Sequence, residues 1–173
     1  LVIDIQAGVV AGAHDEARVL GTVGRIVDAA RRQGAPIVWV QHEDGDLVRD
    51  TEAWRWAGDL APAAEEPVVA KSFRDAFTET TLAPHLDALA ARHLVIVGAQ
   101  SEYCVRTTAH RAVLEGFDVT LVDDAHTTTD PAEDGLSARQ IIAHTNDYFR
   151  GLRYPGRTVR VMPSTAIVEG LIR

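Results

Sequence analysis

A single cysteine, Cys104, stands in the 173 residues, so no intramolecular disulfide can form. That fits a reducing cytoplasm, where we expect the protein to reside. No apolar run approaches the roughly 20 residues that a membrane-spanning helix needs, which disfavours a membrane partner. Basic residues are also short: 17 Lys and Arg against 25 Asp and Glu give a net charge of -8 and a pI near 5.3. A surface of that sign repels phosphate backbones, so nucleic acid is disfavoured as well; acidity that only keeps the chain soluble explains the charge equally. Repeats, low-complexity tracts and linkers are missing, and no signal peptide is visible. The chain opens at Leu1 inside a strand-like run, so we expect the native start upstream of it. The remaining composition, 46% hydrophobic and 24% charged, is globular and long enough for one domain over residues 1–173.

Apolar clusters alternate with helical spacing. Leu1 to Ile5 reads as a short strand. Val19, Val23, Ile26, Val27 and Ala30 recur at helical spacing, with Arg31 and Arg32 in the last turn and Gly34 as a stop. Pro36 opens a buried strand, Ile37-Val38-Trp39-Val40. A polar excursion over 43–66 follows, and Val68-Val69 lead into Lys71. Leu82, Leu86 and Leu89 mark a helix, and Leu94 to Val97, closed by Gly98, is the strongest strand. A helix is expected from Tyr103 to Leu114, stopped by Gly116. Phe117 to Val122 reads as a strand ended by Asp123-Asp124, which leaves His126 in a turn. Ser137 to Phe149 suits a helix, Thr158 to Met162 a strand, and Ser164 to Ile172 a last helix. Strands alternating with helices predict an α/β fold: a three-layer α/β/α sandwich around a mainly parallel sheet of about six strands.

In such sheets ligands bind at the carboxyl ends of the strands. Asp4, Lys71 and Cys104 each fall at or just past such an end. Cys104 is expected at a helix start, where unpaired N–H groups and the dipole lower a thiol's pKa and can hold an oxyanion. A buried structural cysteine is the competing reading. Asp4 is a general base or a turn residue, and Lys71 a charge-neutralising cation or a solvated lysine. Together an acid, a cation and a thiol are the parts needed for nucleophilic attack on an amide carbon.

Three spaced blocks then resemble the isochorismatase-like cysteine hydrolases: Leu1-Val2-Ile3-Asp4-Ile5-Gln6; Val69-Ala70-Lys71, followed by Phe77; and Val97-Gly98-Ala99-Gln100-Ser101-Glu102-Tyr103-Cys104-Val105. The likeness, which also takes in Ala112 to Gly116 and Asp123-Asp124-Ala125, runs from Leu1 to about Asp130. The resemblance implies Asp4, Lys71 and Cys104 as a catalytic triad. It also implies a cis peptide between Ala99 and Gln100, and an oxyanion hole made by the backbone N–H groups of Gln100 and Cys104. It implies hydrolysis of a small amide, lactam or carbamoyl compound through a thioester, without a cofactor. A homo-oligomer, dimer or larger, is implied too.

Departures from the family's patterns narrow this reading. True isochorismatases lack the nucleophilic cysteine, which is present here. Nicotinamidases carry a metal-binding Asp-x-His element where this chain has Val40-Gln41-His42-Glu43-Asp44-Gly45-Asp46. A nicotinamidase-type deamidase is therefore the weaker alternative, and no metal is expected. His42 is read as a solvated loop residue or a contributor to the substrate pocket, with weak cation binding alongside Glu43, Asp44 or Asp46 as the lesser alternative. Trp54, Trp56, Phe73, Phe77 and Tyr103 are candidates for the pocket wall, with core or subunit contact as the alternative for the two tryptophans. A thiol redox protein using Cys104 ranks lower because no resolving cysteine exists. A non-catalytic scaffold ranks lower because the trio is intact.

Overall fold

A computed structural model describes residues 1–131 and 135–171. Six strands form its sheet in the order β3-β2-β1-β4-β5-β6, every pairing parallel. They are β1 (Val2–Ile3), β2 (Trp39–His42), β3 (Val68–Lys71), β4 (His93–Ala99), β5 (Asp118–Thr127) and β6 (Val159–Met162). The helices are α1 (Ala7–Val10), α2 (Glu16–Gln33), α3 (Leu82–Ala88), α4 (Arg106–Leu114), α5 (Ala138–Gly151) and α6 (Ser164–Ala166). Turns of π-helix occupy Ser101–Val105 and Ile167–Leu171. Ile172, the expected end of the last helix, lies outside the described residues.

Neighbouring strand residues face opposite sides, and both sides are apolar. Val2, Trp39, Val97 and Val122 pack under α2 with Val19, Val23, Ile26 and Ile167. Ile3, Val40, Ile96 and Leu121 pack under α3, α4 and α5 with Leu86, Ala109, Val113 and Phe149. Two helical layers thus cover one sheet, as the alternating sequence pattern predicts. Gly34 ends α2 in the left-handed conformation at φ 66°, the backbone that glycine adopts at a helix stop. Ser137 and Gln140 form a reciprocal capping box at the start of α5, satisfying N–H groups that would otherwise lack partners.

Two expectations along the sheet are corrected. Strand β2 is displaced two residues beyond Ile37-Val40 and carries Gln41 and His42 within it. Strand β5 does not stop at Asp123-Asp124 but runs on to Thr127. Its acidic pair is accommodated because each carboxylate finds a partner. Asp123 meets Arg150 at 3.2 Å, and Asp124 accepts the Ser164 backbone N–H and hydroxyl at 2.8 and 2.6 Å. His126 is therefore no turn residue. It is 1% exposed inside the strand.

The order of the sheet reverses between β1 and β4: successive strands run outward to β3 on one side and to β6 on the other. That reversal opens a crevice at the carboxyl ends of the central strands. Gly98 allows the close approach there. Its φ is 138°, and a Cβ would stand 2.0 Å from the Ile3 carbonyl oxygen. The β4–β5 register shifts between Ile96 and Gly98, which pair with Leu121 and His126, so the extra residues that form the bulge lie in β5.

Candidate active site

Four adjacent strands deliver one polar side chain each to this crevice. Lys71 ends β3, His42 ends β2, Asp4 follows β1, and Cys104 lies in the π-helical turn after β4. The register pairs His42 with Lys71 directly. Asp4 is held by its backbone N–H, which donates to Val40 O at 2.9 Å, and its φ of 48° lies in the left-handed region. Single non-glycine residues reach that region, Asp and Asn more readily than most.

Lys71 and Asp4 are both sealed from solvent, with side-chain exposures of 0% and 1%. The Lys71 Nζ lies 2.7 Å from Asp4 Oδ2, 3.3 Å from Cys104 Sγ and 3.0 Å from His42 Nδ1. Neither carboxylate oxygen has a well-aligned hydrogen-bond donor, so the compensation for burying Asp4 is the charge of Lys71. Burial still pushes the Asp4 carboxyl above its ordinary value, against the pull of Lys71, the Cys104 thiol and His42.

The thiol behaves unlike the sequence expectation. Burial and the adjacent Asp4 carboxylate push Cys104 up to about 12, against the stabilising pull of Lys71. The helix start does not overcome desolvation and a neighbouring negative charge. Burial and the neighbouring Asp4 thus favour the neutral thiol over a preformed thiolate.

The Ala99–Gln100 peptide is cis, as the resemblance implies. The Gln100 carbonyl accepts from the N–H groups of Tyr103 and Val105 at 3.1 and 3.2 Å, tying the loop to the helical turn that carries Cys104. A buried chain fixes the same turn from below. Ser101 Oγ lies 2.8 Å from His126 Nδ1, and His126 Nε2 lies 3.0 Å from Asn146 Oδ1. Asn146 Nδ2 donates to the Asp123 carbonyl at 3.2 Å. Burial holds His126 below the ordinary histidine value. In its neutral form one ring nitrogen accepts the Ser101 hydroxyl and the other donates to Asn146.

Sequence reasoning missed His126, Ser101, Asn146 and Gln6. Gln6 is fully buried; its Oε1 accepts the His42 N–H at 2.8 Å, and its Nε2 donates to the His42 and Trp54 carbonyls at 2.9 and 3.0 Å. A signal existed for His126, since Thr127-Thr128-Thr129 after it is a β-branched run that favours an extended strand. For Gln6 the signal was a long amide directly after an apolar strand.

The aromatic candidates divide. Trp56 stacks edge-on against Trp39 at 5.1 Å and packs on the core. Phe77 also packs on the core, with Phe117 at 6.1 Å. Phe73 and Tyr103 remain exposed at 50% and 38%, and the Arg74 guanidinium lies 3.8 Å over the Tyr103 ring. Trp54 is half-buried; its carbonyl ties the excursion to Gln6 and Gln41. His42 is not a solvated loop residue, because both ring nitrogens have protein partners, Lys71 and Asp44. Among the described residues, no three His, Cys, Asp or Glu side chains gather as metal ligands would. An apolar cavity of about 390 Å³ lies at the opposite end of the strands, lined by Ile26, Pro36, Leu86 and Leu94 among others, and shares no residue with this site.

The isochorismatase domain model matches residues 1–148. A streptothricin hydrolase from Streptomyces noursei is 36% identical over 144 residues, covering 79% of this chain and 52% of the relative. A maleamate amidohydrolase from Pseudomonas putida is 32% identical over 105 residues, covering 57% of this chain and 48% of the relative. The chain thus spans about half the length of these relatives. The crystal structure of an isochorismatase from Pseudomonas putida superposes with a TM-score of 0.86 at 29% identity, covering 95% of this chain and 87% of the other. With the match running over most of its length, the chain belongs to the isochorismatase family of hydrolases.

Proposed function

We propose that this protein is a cysteine hydrolase that cleaves a non-peptide C–N bond in a small amide, lactam or carbamoyl compound, with Cys104 as nucleophile. One observation carries the reading: a buried ammonium lies 2.7 Å from a carboxylate and 3.3 Å from the chain's only thiol, the three standing at or past the ends of three separate strands. With the thiol held near 12, free thiolate is scarce at neutral pH. Asp4 therefore takes the proton as sulfur attacks, and Lys71 offsets the negative charge that passes between them. The oxyanion forms opposite the backbone N–H groups of Gln100 and Cys104. Asp4 returns the proton to the leaving nitrogen as the C–N bond breaks, leaving a Cys104 thioester. Asp4 then deprotonates a water, which releases the acid and restores the thiol.

A peroxide-reducing role fits less well, because redox-sensing thiols are low in pKa and accessible, whereas this one is raised. Amide cleavage also agrees with the likeness to the amidohydrolase. The test is a turnover screen over small amides, lactams and carbamoyl compounds, with Cys104→Ala as control. Hydrolysis of at least one class that disappears in the variant is expected. Equal hydrolysis by the variant overturns the proposal.

A further inference from the structure

An ammonium has three donors and no acceptor. Two of those on Lys71 face the proposed acid and nucleophile; the third faces His42 Nδ1 at 3.0 Å. To accept there, the imidazole must carry its proton on Nε2, which lies 2.9 Å from Asp44 Oδ2. Asp44 is fixed in turn, because its Oδ1 accepts the backbone N–H groups of Asp46 and Leu47, both at 2.8 Å. Those bonds, and then His42, hold the Asp44 carboxyl below its ordinary value, so an anion faces Nε2 and selects the tautomer. The backbone of His42 is gripped on both sides by the Gln6 amide, and its side chain is 13% exposed. The charged groups facing it are Lys71 and Asp44, with Asp4 beyond.

We propose that His42 and Asp44 are positioning residues: Asp44 locks the His42 tautomer, and His42 supplies the third acceptor that holds Lys71 between Asp4 and Cys104. The inference rests on the reading of Lys71 as the cation that supports sulfur. A flexible ammonium with a vacant buried donor would lose stability or turn toward another acceptor. The neutral imidazole satisfies that donor without adding a competing negative charge. The arrangement parallels the outer partners that orient first-contact groups in other active sites.

The test is the pH dependence of Cys104 alkylation by iodoacetamide, which reads thiolate formation and needs no substrate. It therefore stands or fails separately from amide turnover. His42→Leu is expected to alkylate about tenfold more slowly at each pH between about 7 and 9. Asp44→Ala should move in the same direction. His42→Asn, whose Oδ1 can accept from Lys71 near the place of Nδ1, should recover to within about threefold of the unaltered protein. Thermal unfolding of each variant checks that the fold is kept; should His42→Leu not fold, Asp44→Ala and His42→Asn carry the comparison. A wild-type profile in His42→Leu or Asp44→Ala overturns the proposal. So does a His42→Asn profile as displaced as that of the other two, since that would make ring shape rather than the acceptor the cause.

Discussion

Replacing Lys71 by methionine keeps much of the side-chain volume and removes the cation paired with Asp4. The carboxylate left behind is 1% exposed and has no well-aligned hydrogen-bond donor. Breaking a buried pair from one side costs about 3–5 kcal/mol, because the remaining charge is uncompensated. In a chain of this length each kcal/mol moves the thermal midpoint by about 2–4 °C, so a fall of roughly 6–20 °C is expected at pH 7. The loss must depend on pH in a definite sense. The folded-state carboxyl is already raised by burial, and without Lys71 less opposes that push. Folded protein then holds a proton that the unfolded chain has released, so stability is greatest below the ordinary carboxylate range. It falls as pH rises through the folded value. Adding Asp4→Asn to Lys71→Met removes the stranded charge and should recover most of the loss, since asparagine tolerates the left-handed backbone at this position. Denaturant unfolding of the single and double variants from pH 4.5 to 8 measures this. A loss below about 1 kcal/mol at pH 7, or one that does not change with pH, would refute the buried-pair argument.

Two further outcomes follow from the packing around the crevice. Gly98→Ala places a methyl group 2.0 Å from the Ile3 carbonyl oxygen at a φ of 138°, so β1 and β4 must separate; we expect a loss above about 3 kcal/mol and weakened turnover, measured by chemical unfolding and by rate. His126→Leu removes the link between Ser101 and Asn146 and leaves their polar groups buried, at a cost of about 2–4 kcal/mol. Because burial depresses the folded-state pKa of His126, its share of stability is present above the ordinary histidine value and lost as pH falls below it. The variant should therefore show a flatter stability profile between pH 7 and 5, and an unchanged slope would count against a buried neutral imidazole.

The sheet was legible because its strands are buried on both faces. Continuous apolar runs such as Leu94-Val97 need no partner information to be read as strands. Position at or past strand ends marked the trio as candidates but left structural roles open to each; the resemblance singled them out as a set. Less visible was anything that depends on a partner distant in sequence. Asp123-Asp124 reads locally as a strand end, yet Arg150 and Ser164 take up the two carboxylates and the strand continues. His126 was misplaced with them. His42 looked solvated because its neighbours Glu43, Asp44 and Asp46 are acidic, but the register of β2 with β3 sets it against Lys71. The thiol was misjudged because a helix start is a local feature, whereas desolvation and the Asp4 charge come from elsewhere in the fold.

The central claim is that Cys104 sulfur bonds covalently to the substrate's carbonyl carbon. Rapid-quench mass spectrometry with an activated amide or ester as acyl donor tests it directly. The account predicts a transient acyl group on the peptide carrying Cys104, decaying as acid is released and absent from Cys104→Ala. Full turnover with no modification of that peptide, or undiminished turnover by the alanine variant, contradicts it.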